Sequence, residues 1–311
     1  MIKKIPESQY NCVRPIQYTS SAREAFRVIL ENLSFSSGQK LLLPAYIGIT
    51  DREGSGVLDP VEKTKTPYEF YALNRQLSAI KEDLYERIRS ENYGALLVIH
   101  YFGFCQNNMQ EIVNLCHKHK VLLIEDCAHT MLSETENGEL GKLGDFSFYS
   151  IHKFLATKDG GCLCVNNKSY ESLLHFPARA QPQMETLDML ARADLGAVRE
   201  SRRSNYLYLM KLIKNYPGID IMYPDLPQGI APHNLPILVK GGQRESVYFK
   251  LIERGVPVIA LYYRMINSIK DKGYDDSLYV SENILNFPIH QDIQKSNLDV
   301  IAQRLKESLK V

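Results

Sequence analysis

Between residues 95 and 167 apolar and polar positions alternate in blocks. ALLVIHYF is a continuous apolar run, NNMQEIVNLCHKHK repeats its apolar positions at helical spacing, VLLIED is apolar again, and after a polar turn come GDFSFYS and GCLCVNN. Strand, helix and strand in that order predict a right-handed βαβ crossover and a mostly parallel sheet with helices on both faces. Upstream, SSAREAFRVILENL predicts a helix and KLLLPAYIGI a strand, which extends the alternation. The fold class is α/β.

From about residue 170 to 230 the chain becomes polar and helical, with RESRRSNYLYLMKLIKNY as one amphipathic piece whose arginines read as a solvated or subunit-facing surface. Beyond it, LPILV, QRESVYFKLIERG, VPVIA and QKSNLDVIAQRLKESL predict a smaller α/β domain. The Pro- and Gly-containing stretch YPDLPQGIAPHN, residues 223–234, marks the boundary, which gives a large domain over 1–222 and a small one over 223–311.

Composition narrows the class. The 311 residues are 44% hydrophobic, enough for a sizeable core. Lys plus Arg number 37 against 36 Asp plus Glu, so the net charge of +1 points to no nucleic-acid partner. MIKKIPESQYN has no apolar leader core, and no run approaches the roughly 18 apolar residues of a membrane span. A cytoplasmic protein without a membrane partner is expected. Cys12, Cys105, Cys116, Cys127, Cys162 and Cys164 are scattered and form no disulfide framework. A metal site from Cys116, His117 and His119 fails, because residues one and two apart on a helix do not converge on one ion.

The chemistry-bearing candidates follow the strands. Asp126 ends VLLIED, and ligands bind at the carboxyl ends of parallel strands. A carboxylate buried there needs a cation, and a protonated pyridine nitrogen is one; the alternative is an Asp that caps the next helix. His129, in the Asp-x-x-His spacing, can bond a phenolic oxygen of such a ring or be structural. Ser21, followed by Glu24, is a capping box opening a helix, whose amides can also hold an anion. In FYSIHKFLATKDGG, Ser150 and His152 can donate to a phosphate. Lys153 is either an imine-forming lysine in a partly buried site or a surface lysine after a strand, and Gly160 and Gly161 let the chain turn into CLCV.

In this order the pieces resemble the pyridoxal-phosphate-dependent sugar aminotransferases of the DegT/StrS type, from about residue 18 to the C-terminus. YTSSAREAF stands for the family's Ser-Gly-Arg-x-Ala-Leu phosphate helix, LLLPAY for its Val-Pro-Ala-aromatic strand, VIHYFG for Val-His-x-x-Gly and VLLIEDCAHT for Ile-Glu-Asp-Ala-Ala-Gln. GKLGDFSFYSIHKFLATKDGG stands for the block ending in the Schiff-base lysine, and ERGVPV and ILNFPIHQDI match pieces of the small domain. The resemblance implies fold type I, a large domain with a mostly parallel central sheet sandwiched by helices plus a small C-terminal α/β domain, and the cofactor pyridoxal 5′-phosphate. It makes Lys153 the internal aldimine lysine and general acid/base, and Asp126 the pyridinium partner. Ser21, Ala22, Arg23 and Ser150 become the phosphate cradle, with His129 where the family commonly has Gln. It implies transfer of an amino group from an amino acid, glutamate, to a nucleotide-linked keto-sugar, in a homodimer; the helix RESRRSNYLYLM has the composition of an interface core. Ala22 replaces a glycine, and no Asn-Tyr-Arg motif lies between residues 170 and 210. Dehydration, C–S cleavage and a non-catalytic binding or regulatory role are the alternatives, and Lys153 beside His152 favours transamination over dehydration.

Overall fold

The structure, a computed structural model, describes residues 16–309 apart from 34, 91, 136, 137, 139 and 172–174, so Cys12 lies outside the described residues. Among the described residues, ten strands run β1 (Ile16–Thr19), β2 (Lys40–Pro44), β3 (Tyr68–Tyr71), β4 (Tyr93–Ile99), β5 (Leu122–Cys127), β6 (Phe146–Ser150), β7 (Gly161–Val165), β8 (Ile219–Ile221), β9 (Leu235–Val239) and β10 (Ile284–Phe287). The α-helices are α1 (Ala22–Asn32), α2 (Leu58–Lys63), α3 (Lys81–Ser90), α4 (Met109–His119), α5 (Met184–Arg192), α6 (Leu195–Ile213), α7 (Arg244–Glu253), α8 (Asn267–Lys270), α9 (Asp275–Asn283) and α10 (Lys295–Ser308).

The apolar runs at 95–102 and 121–126 become β4 and β5, wholly or almost wholly buried because both faces are covered. The main sheet has the order β1-β7-β6-β5-β4-β2-β3. Strands β6, β5, β4, β2 and β3 pair in parallel, while β7 and β1 add an antiparallel edge. Ile99 lies beside Asp126 and Asp126 beside Phe148, so the carboxyl ends of three neighbouring strands open at one level. Helix α1 is held above them by Phe26, fully buried and stacked on Phe148 at 5.1 Å between ring centroids. Burial of such a ring contributes roughly 1.5–3 kcal/mol, and the stacked pair about 0.5–1.5 more.

The smaller sheet has the antiparallel order β10-β9-β8. It draws β8 from the stretch before residue 223 that the sequence reading gave to the large domain. VPVIA forms no strand; its one pairing is an isolated bridge from Ile259 to Asn286. Helix α6 requires a correction. Arg202, Asn205, Tyr206, Leu209 and Ile213 make its buried face, which packs chiefly on α10. Arg203 donates to the carbonyls of Pro227 and Ile230, and Arg199 pairs with Glu134 at 3.2 Å. The arginines are therefore spent within the chain rather than on a solvated face.

Candidate active site

A cavity of about 880 Å³ opens at the carboxyl ends of β4, β5 and β6, and it is lined by all eight residues expected to hold the cofactor: Ser21, Ala22, Arg23, Asp126, His129, Ser150, His152 and Lys153. Ser21 is the N-cap of α1, with extended backbone and its Oγ accepting from the Glu24 amide at 3.1 Å. Only this half of the expected capping box forms, since the Glu24 carboxylate turns outward to Arg179 at 3.0 Å and Arg27 at 3.8 Å. The amides of Ala22 and Arg23 belong to the first helical turn, which has no intrahelical acceptor, and they border the cavity. A Cβ on Gly161 would lie 2.4 Å from the Ala22 nitrogen and from the Ser21 carbonyl carbon. This glycine is what lets β7 approach the helix N-terminus so closely.

Asp126 closes β5 and is almost wholly buried; its Oδ1 accepts the Ala128 amide at 2.8 Å. Burial raises its pKa, against the lowering effects of that amide and of the Lys153 and His100 charges. His129 is buried too, and its Nδ1 accepts from the Phe102 amide at 3.2 Å. The proton of the neutral ring therefore sits on Nε2. Burial, then the Lys153 charge, then His233, push its pKa well below 6.5, so the ring stays neutral at physiological pH. Phe102 can aim its amide this way because it adopts a left-handed backbone, φ 58°, just before Gly103 at φ 101°.

Lys153 follows β6 in a tight turn in which the amides of Phe154 and Leu155 both donate to the Ile151 carbonyl. The residue is half-buried but its amine is enclosed, and burial lowers its pKa to about 8, opposed by Asp126 and Glu53 and aided by Arg23. Ser150, fully buried, contacts His152 Nδ1 at 3.2 Å. His152 itself stands exposed at the rim, its pKa lowered by partial desolvation and by the Lys153 charge.

Several lining residues escaped the sequence. His233 stacks on His129 at 4.7 Å and 7° between planes, although its segment reads as a domain boundary. Its amide donates to the Phe102 carbonyl at 2.8 Å. Tyr262 reaches the cavity over Gly48, where a Cβ would meet its ring at 2.2 Å. Glu53 brings a charge to Lys153. Each arrives from a part of the chain far from the Asp126–Lys153 block, and no local pattern announces it. Beneath the site, Glu125 takes amides of Gly141, Leu143 and Gly144 and pairs with His100 at 2.9 Å. His100, Glu125 and Cys127 lie close enough to share an ion, but both oxygens of Glu125 are already engaged by these donors. The sequence-based Cys116 and His117 lie elsewhere, on α4.

These residues fit pyridoxal 5′-phosphate: an enclosed amine whose pKa is lowered to about 8, a buried carboxylate in want of a cation, and a helix N-terminus for a phosphate, kept open by Gly161. Together with the sheet order they define the fold type I class of pyridoxal-phosphate proteins. Residues 69–176 match the DegT/DnrJ/EryC1/StrS aminotransferase family. The UDP-4-amino-4,6-dideoxy-N-acetyl-beta-L-altrosamine transaminase of Campylobacter jejuni is 37% identical over 253 residues, 70% of this chain and 66% of that protein. The UDP-N-acetyl-3-dehydro-alpha-D-glucosamine 3-aminotransferase of Acidithiobacillus ferrooxidans is 21% identical over 93% of this chain and 83% of its own. Among solved structures, the aminotransferase TlmJ from Streptoalloteichus hindustanus superposes with a TM-score of 0.79 at 20% identity, covering 94% of this chain and 85% of that one. Helicobacter pylori PseC gives 0.78 at 16% identity, over 94% and 86%. The chain belongs to the DegT/DnrJ/EryC1/StrS aminotransferase family.

Proposed function

We propose that the protein transfers an amino group from glutamate to the keto carbon of a nucleotide-linked sugar. The observation that carries this is the Lys153 amine, enclosed in one cavity with Asp126 and the α1 N-terminus and brought to a pKa of about 8. The similar proteins named as transaminases of UDP-sugars support the substrate class. Bound pyridoxal 5′-phosphate supplies the electron sink for charge developing on the substrate carbon.

The chain's own residues do the rest. Lys153, with a pKa of about 8, would take the proton from the amino-bearing carbon of the donor and, in the second half of the reaction, deliver one to the sugar carbon that receives the amino group, since acid–base catalysis is most efficient when the pKa lies near the working pH. Asp126 keeps a proton on the ring nitrogen. His129 offers Nε2–H to the ring's phenolic oxygen, in the place where the family commonly has Gln. Ser21, the Ala22 and Arg23 amides and Ser150 hold the phosphate, with His152 a further donor at the rim. Outward of these, Arg52, Lys158, Tyr248 and Tyr263 line the mouth, a lining suited to the phosphates and rings of a nucleotide sugar.

The proposal includes a homodimer and a cytoplasmic location, with a cofactor-binding part over 1–222 and a small part over 223–311. No described helix is long and apolar enough to cross a membrane. The dimer rests on the family and on the stretch RESRRSNYLYLM, in which Arg202, Asn205, Tyr206 and Leu209 are buried inside the chain while Leu207 stays exposed. Incubating the purified protein with pyridoxal 5′-phosphate, glutamate and UDP-linked 4-keto or 3-keto sugars tests the function. Release of 2-oxoglutarate with formation of the amino sugar is expected. Consumption of the sugar by loss of water, or no release of 2-oxoglutarate with any acceptor, would overturn it.

A further inference from the structure

Two side chains from distant parts of the chain grip the main chain at Lys153. Arg202 Nη2 donates to the Lys153 carbonyl at 3.1 Å, and Gln291 Nε2 donates to the Phe154 carbonyl at 2.9 Å. The two are joined to each other, Arg202 Nε donating to Gln291 Oε1 at 3.2 Å. Arg202 Nη1 reaches the His233 carbonyl at 3.1 Å, and the guanidinium lies over the Phe154 ring at 4.7 Å. One planar fork therefore ties together the lysine turn, the segment that carries His233 and the stretch after β10.

Stability alone is a poor reason for this arrangement. Arg202 is 3% exposed, and its hydrogen-bonded partners are neutral. Burial lowers its pKa to about 10, with only the more distant Asp292 charge opposing. A buried guanidinium without a bonded carboxylate is costly, and an apolar side chain of similar volume would fill the space more cheaply. What an apolar residue cannot do is hold three carbonyl-bearing segments at fixed separations. The turn's own bonds end at Leu155, leaving the Lys153 and Phe154 carbonyls to be fixed from outside.

We propose that Arg202 and Gln291 are a positioning pair that sets the reach of the Lys153 amine into the cavity and registers it against the His129–His233 stack. Neither touches the reacting atoms; both act through the main chain of the turn. The proposal rests on Lys153 being the lysine that bears the cofactor. The opposing possibility is specific: the flexible lysine stem absorbs any shift of its main chain, and the pair then matters for folding only.

The test uses the full chain loaded with pyridoxal 5′-phosphate, as wild type, Arg202→Lys, Arg202→Met and Gln291→Leu. Three quantities are read: the rate at which borohydride fixes the cofactor on Lys153, followed by peptide mass; the pH midpoint of the visible band of the lysine-bound cofactor; and the thermal midpoint of the cofactor-free protein. Misplacing a reacting group by about 1 Å can cost on the order of 100-fold, so Arg202→Met and Gln291→Leu are expected to slow trapping by roughly 10- to 100-fold and to move the pH midpoint. Arg202→Lys, which keeps the charge but not the fork, should recover only part. Gln291 is half-buried, so its variant carries the test if Arg202→Met does not fold. Variants that melt earlier yet trap at the wild-type rate, with the wild-type pH midpoint, would overturn the pair's role. Failure of the wild type itself to trap the cofactor on Lys153 would instead overturn the lysine assignment, and the pair's role with it.

Discussion

Lys153 is held in an environment that its own charge opposes. Its pKa falls from 10.5 to about 8, so the folded protein binds this proton more weakly than the unfolded chain. Below pH 8 both states are protonated and the folded state carries the full cost; between pH 8 and 10.5 the unfolded state binds more protons, and stability rises with pH. Lys153→Met should therefore be more stable than wild type at pH 7 without cofactor, with the advantage shrinking as pH rises through this window. Denaturant unfolding across pH 7–10.5 measures it, and a constant or growing difference would contradict the buried amine. His129 tests the opposite feature, a group kept neutral. Its Nδ1 accepts the Phe102 amide and its Nε2–H is free for the ligand. His129→Gln keeps both functions, a carbonyl for the amide and an NH₂ to donate, whereas His129→Leu leaves both partners unpaired at about 1–3 kcal/mol each. The Gln variant should keep the visible band's pH midpoint near wild type, and the Leu variant should shift it. Superimposable titrations in all three would remove His129 from the site.

At the scale of elements, the site depends on how closely α1 meets β7. The Ser21 hydroxyl, which accepts the Glu24 amide, and the Gly161 contact fix the helix N-terminus over the strand ends. Gly161→Ala would push the two apart, and overpacking of this kind costs about 1–3 kcal/mol. The phosphate should feel it first. The mutant is expected to lose most of the preference for pyridoxal 5′-phosphate over pyridoxal in binding titrations, and an unchanged preference would show that the phosphate sits elsewhere. The elements themselves were largely legible. Continuous apolar runs gave β4 and β5, because strands covered on both faces need no polar positions, and helical spacing with Ser21 as cap gave α1. Asp126, His129, Ser150 and Lys153 were legible because they cluster on successive strand ends within one local block. Arg202, His233, Gln291 and Tyr262 were not. Their positions follow from tertiary packing, and the arginine-rich stretch of α6 has the same composition whether it faces water, a second subunit or, as here, a lysine turn.

For the whole molecule, the resemblance carries the expectation of a homodimer. Helix α5 buries only Thr186 and leaves Met184 and Met189 exposed, an apolar surface that the described chain does not cover. Sedimentation at micromolar concentration should give twice the 35.6 kDa chain mass, and a monomer would contradict the dimer. All of this turns on one atom, the Lys153 amine, and locating the cofactor on the chain tests it. The protein is incubated with pyridoxal 5′-phosphate, reduced with borohydride, digested and read by peptide mass. One equivalent of cofactor per chain is expected on the peptide that contains Lys153, and none there in Lys153→Arg. Cofactor on another lysine, such as Lys158 at the cavity mouth, or no fixed cofactor at all, would contradict it.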